Sequence, residues 1–182
     1  MSARTGWARA ARPGRMRMDT PENHHAHVAL HRHAHRPRPR GSREGAPDAN
    51  GQPAERRVSD GDGVPCRHCL DDVAAGEPFL IAAYRPFPRP QPYAEIGPIF
   101  LHAEPCPRRG ETPDLPPVLA ARERVLMRGY GADDRIVYGT GQVVPTAELP
   151  ESAARLLGRG DVDYVHVRSA SNNCYTCRIE RA

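Results

Sequence analysis

The apolar positions of this chain fall into short alternating runs, set apart by proline- and glycine-rich stretches. Phe79–Tyr84 and Ile99–Ala103 have the length and β-branched or aromatic content of strands. Between them Pro86, Pro88, Pro90 and Pro92 recur at every second residue, which predicts an extended loop and excludes a sheet interior. Arg124–Tyr130 and Arg135–Gly139 flank Gly131-Ala132-Asp133-Asp134, a hairpin turn by its residue types. Asp163–Arg168 and Cys174–Arg178 form a second such pair, joined by Ser169-Ala170-Ser171-Asn172-Asn173. One helix stands out, over Thr146–Leu157. Its Leu149, Ala153, Leu156 and Leu157 make a single apolar stripe, with Pro150 suited to the first turn and Gly158 to the stop. Short helical turns are predicted over Leu70–Gly76 and Val118–Arg122. The sum is an α+β fold: about six mostly antiparallel strands, with the main helix over 146–157 on one face.

The first 57 residues depart from this pattern. They are rich in Arg, Pro, Gly and His and poor in large apolar side chains, so they are expected to be a disordered tail ahead of one compact domain over 58–182. The tail holds 12 Arg against 5 acidic residues, the remainder 14 Arg against 17. The net charge of +4 therefore belongs to the tail, and the domain is mildly acidic. That balance argues against a groove neutralising phosphates, so no nucleic-acid partner is expected. Every basic residue is Arg and none is Lys, a pattern of GC-rich coding that weakens Arg richness as a functional signal. His24, His25, His27, His31, His33 and His35 can bind divalent ions weakly, and the bland reading is a solvated low-complexity run. The first 18 residues are Arg- and Ala-rich without acids, as transit peptides are, but lack the apolar segment of a secretion signal. They read as an extension, or as a start placed too early, ahead of Met16 or Met18. No apolar run reaches the roughly 20 residues of a membrane span. The expectation is a cytoplasmic protein with no membrane partner, whose five cysteines are reduced thiols or metal ligands.

Chemically capable side chains concentrate in Tyr93–Cys106, where a strand delivers His102 and then Cys106 between Pro105 and Pro107. Cys66-Arg67-His68-Cys69 lies upstream with the spacing of a zinc knuckle, in which a tight turn aims both thiolates at one ion. Cys174 and Cys177 form a second pair. Strand alternation groups Cys177 with Tyr175 and Ile179 on a core face and leaves Cys174, with Thr176 and Arg178, on the other. The expected zinc ligands are thus Cys66, Cys69, Cys106 and either Cys174 or His102. Two other readings compete. Cys66 and Cys69 with His68 between them resemble a thiol–disulfide active site, but no buried strand precedes them. A face carrying His102, Arg128, Tyr130, His166 and Arg168 would suit a small carboxylate- or phosphate-bearing ligand; ordinary alternation on a solvated sheet gives the same pattern. No nucleophile–base motif, phosphate loop or H-E-x-x-H occurs, and Gly139-Thr140-Gly141 reads as a turn.

Pro65–Leu70, the Tyr93–Cys106 block, Leu115-Pro116-Pro117, the Arg128–Gly139 hairpin, Tyr164–Arg168 and Cys174 with Cys177–Arg181 together resemble a small bacterial family, domain of unknown function 1203. The resemblance runs from about Val58 to Ala182 and excludes the His-rich tail. It implies a compact cytosolic domain. It implies no reaction and supplies no catalytic residue.

Overall fold

The computed structural model describes residues 47–181; the His-rich run lies outside them. Seven strands form two antiparallel sheets in place of the single sheet of six that the alternation predicts. The first sheet has the order β1 (Glu55–Val58), β2 (Pro78–Tyr84), β3 (Gly97–His102). The second has the order β5 (Gln142–Pro145), β4 (Arg124–Tyr130), β6 (Tyr164–Ser169), β7 (Tyr175–Glu180). Between the sheets in sequence lies the one-turn helix α1 (Pro117–Ala120). After β5, a 3-10 turn over Thr146–Glu148 leads into the main helix α2 (Leu149–Leu157).

Helix α2 buries the expected stripe: Leu149, Ala153, Leu156 and Leu157 pack with Val125, Met127, Val165, Val167, Cys177 and Ile179. Pro150 needs no donor in the first turn, and Gly158 follows the last residue. The opposite face of the second sheet carries Tyr130 and Tyr164, covered by Phe87 from the proline-rich loop. A smaller core, Val64, Cys66, Val73, Phe79, Leu80, Ala82, Ile99 and Leu101, belongs to the first sheet.

Four local expectations are corrected. Leu70–Gly76 is not helical. Leu70 has φ 56°, a left-handed value that breaks a right-handed helix, and the segment returns as the second arm of a small hairpin bridged at Pro65 and Asp72. The turn at Gly131–Asp134 exists, with Gly131 N–H donating to Arg135 O at 3.0 Å, but Arg135–Gly139 is not a strand. Only Ile136 bridges back, to Tyr130, and the strand that pairs with β4 is β5. Thr140 explains the detour. Its buried hydroxyl accepts from Gly129 N–H at 2.9 Å and donates to Val137 O at 2.5 Å, docking where a Cβ on Gly129 would come within 3.1 Å of it. The third correction is at Glu55–Val58, within and beside the expected tail, which pairs with β2 from Pro78 to Ile81. Finally, a bulge lies between Val167 and Arg168, so that Val167 faces Cys177 while Arg168 faces Tyr175. The extra residue, Thr176, puts Tyr175 on the face opposite Cys177, against His166, and not beside Cys177 as simple alternation requires.

Candidate metal centre

The segment from Val64 to Val73 folds into a tight hairpin. Cys66 N–H donates to Asp71 O at 2.9 Å, Leu70 N–H to Cys66 O at 3.0 Å and Val73 N–H to Val64 O at 2.9 Å. This hairpin is stitched to β3 by a parallel bridge between Cys66 and Phe100, with Arg67 N–H donating to Phe100 O at 2.9 Å. Docking there brings Cys66 and Cys69 to the end of β3, where His102 projects and from which the chain runs on through Pro105 to Cys106. One ligand atom from each of Cys66, Cys69, His102 and Cys106 lies within 4.8 Å of all the others.

The contacts inside the group are specific. Backbone N–H groups of His68 and His102 both donate to Cys66 Sγ, each at 3.4 Å. Such donors stabilise a thiolate, and here two elements distant in sequence supply them to one sulfur. His102 turns Nδ1 toward Cys69 Sγ at 3.5 Å, while its Nε2 lies 3.7 Å from the Glu77 carboxylate. A carboxylate behind a histidine fixes the ring and its tautomer for ligation through the other nitrogen. Cys66 and Cys106 sulfurs stand 3.8 Å apart, and His68 Nδ1 is 3.3 Å from Cys106 Sγ. The three thiols titrate as one unit. The Cys69 thiol holds Cys66 down to about 3, against burial and with help from backbone N–H groups of Cys69 and His102. The same contact drives Cys69 upward, and burial followed by the Cys66 charge raises Cys106.

Of the five residues proposed for the metal, four gather and Cys174 does not. Its Sγ reaches only Asn172 O, at 3.8 Å, and it lines a cleft elsewhere. Cys177 is buried in the core, as its place on the strand predicted. Of the five proposed for an anionic ligand, His102 belongs to the sulfur cluster on the first sheet, and the other four gather on the second. They are not a solvated face. His166 and Tyr130 are 0 % exposed and Arg168 is 2 % exposed. Rings of Tyr130, Tyr175, Tyr164 and Phe87 surround His166 at centroid distances of 4.5, 4.8, 5.1 and 5.2 Å. Burial, then Arg168, Arg178 and Arg128, hold His166 well below the usual histidine range. Among the described residues, its two ring nitrogens and the Tyr130 hydroxyl have no hydrogen-bond partner. Arg168 and Arg128 are both paired with Glu95, Arg128 at 3.6 Å. The proline-rich loop thus lays a carboxylate and Phe87 over this face.

Three contributors were not singled out from the sequence. Glu77 is invisible without the register that sets Phe79 opposite His102. Glu95 lies in the block already marked as reactive, but its role depends on a loop folding back over the other sheet. Phe87 was one of the few large apolar residues in a loop, and that was the available signal.

Fold and cluster together define a small two-sheet α+β domain with an internal site of three cysteines and one histidine. The chain belongs to the family described as a protein of unknown function, DUF1203, whose match spans residues 63–181. Comparison with curated proteins and with solved structures gave no match. Among the described residues, no helix is long and apolar enough to cross a membrane.

Proposed function

We propose that Cys66, Cys69, His102 and Cys106 hold one zinc ion in a closed structural centre, and that this centre locks the 64–73 hairpin onto β3. The observation that carries the reading is the convergence of all four ligand atoms within 4.8 Å. Three thiolates and an imidazole suit zinc, and four protein donors fill a tetrahedral shell, leaving no open position for a substrate or water. Two N–H donors to Cys66 and the Glu77 carboxylate behind His102 supply the outer contacts that such centres use. The centre lies beside the smaller core, and a metal there adds its binding free energy to the folding free energy of the first sheet.

The test compares the full chain with its Cys106→Ser variant, purified without an affinity tag in reducing buffer. The His-rich run is common to both, so the difference in zinc content isolates the centre. The expected result is one equivalent less zinc and a melting midpoint lower by several degrees in the variant. Equal zinc content in the two proteins would sink the proposal. Metal-free wild type that forms a Cys66–Cys69 or Cys66–Cys106 disulfide once the reductant is removed would instead mark the thiols as a redox pair.

A further inference from the structure

A cleft of about 410 Å³ opens between the two sheets, apart from the sulfur cluster. Its walls are the β6–β7 turn, the segment from α1 into β4, and the back of the Cys66 hairpin, with Phe100 between. Four arginines line it, Arg67, Arg122, Arg124 and Arg168, against one carboxylate, Glu123. Arg122 is already paired with Asp72 at 2.9 Å, and Arg168 with Glu95. Arg67 and Arg124 have no carboxylate partner among the described residues.

Arg67 is the informative one. Its Nε donates to Tyr175 O at 2.7 Å and its Nη1 to Pro65 O at 2.5 Å, and its guanidinium lies 5.8 Å from the Phe100 ring centroid. These contacts span both sheets and fix the plane of the group. Nη2 carries no hydrogen bond to any described residue. A half-buried guanidinium without an anion is costly to keep charged. A planar guanidinium fixed by two carbonyls, on a residue that lines a cleft, is suited to recognising carboxylate or phosphate oxygens. Ser171 and Asn172, exposed on the turn that forms one wall, add hydrogen-bonding groups for the rest of such a ligand. The volume matches ordinary small-molecule sites.

We propose that this cleft binds a small polyanion, a phosphate ester or a di- or tricarboxylate, through Arg67 and Arg124. The cleft lies on the back of the hairpin that carries Cys66 and Cys69, and none of the four clustered residues lines it.

The experiment titrates the full chain with inorganic phosphate and, in a parallel arm, with citrate. Ionic strength is held constant with sodium chloride, and binding is followed by thermal melting and by calorimetry. The expected result is a saturable rise in melting midpoint with at least one of the two anions at millimolar concentration. Phosphate alone assigns a phosphoryl ligand, citrate alone a carboxylate, and either supports the site. Affinity should fall at least tenfold in Arg67→Gln and in Arg124→Ala, with zinc content unchanged. Arg124 is exposed and its bond is to Val143 O, so Arg124→Ala keeps the fold and decides the matter if Arg67→Gln does not fold. No saturation beyond the chloride control, or saturation that Arg124→Ala leaves untouched, overturns the proposal.

Discussion

Cys177 and His166 stand on neighbouring strands and answer different questions. Cys177 is 6 % exposed and packs with Val167 and Ile179 under helix α2. Cys177→Ala should cost about 1–2 kcal/mol by urea denaturation, through lost apolar contact, and leave zinc content as it is. Zinc loss in that variant would mean the second cysteine pair shares the metal. His166 is buried neutral between Arg128, Arg168 and Arg178, with Tyr130, Tyr164 and Tyr175 around it. Its folded value lies below its unfolded one, near 6.5, so the unfolded chain takes up the proton first. The stability it contributes is complete above about pH 6.5 and is lost as pH falls below that, by up to about 1.4 kcal/mol per pH unit. His166→Leu should flatten that part of the acid limb relative to wild type between pH 7 and 5. Parallel curves for the two proteins would place the acid sensitivity elsewhere. The first pair of clustered residues was legible at this scale because Cys66-x-x-Cys69 needs only a tight turn. The fourth was left between Cys174 and His102, since no spacing says which of two distant residues a fold brings near.

Among the elements, those with strong local signals are where the sequence puts them. Helix α2 carries its stripe and its proline, and β2, β3, β6 and β7 begin and end near their apolar runs. The misplaced elements are those decided by distant partners. Gln142–Pro145 is a strand because Thr140 docks on Gly129 first; Tyr175 changes faces because one extra residue is accommodated in β7. The polar side of β4 and β6 looked like a solvated sheet because alternation does not report what covers it. The cover is the loop from Arg85 to Ile96, held by Phe87, by Gln91 Nε2 donating to Asp134 O at 3.0 Å, and by Glu95. Glu95→Ala removes the carboxylate facing Arg128 and Arg168. Since Glu95 is itself partly exposed, the cost should be about 1–3 kcal/mol in chemical denaturation, with the loop newly open to limited proteolysis. A cost below about 0.5 kcal/mol, the range of ordinary surface substitutions, would show that Phe87 alone retains the loop.

For the whole molecule, alternation could count strands but not divide them. Antiparallel neighbours look alike whether the next strand joins the same sheet or begins another. The break falls between β3 and β4, in the stretch holding Cys106, the Pro-rich connection and α1. The four clustered residues therefore all lie ahead of the second sheet, between positions 66 and 106. The second sheet begins only at Arg124. In chain order every member of the cluster, and all three strands of the first sheet, precede the first residue of the second sheet. The first sheet and its cysteine hairpin are thus complete in the chain before the second sheet begins. Arg67 then reaches for the carbonyl of Tyr175, in a strand among the last to be synthesised.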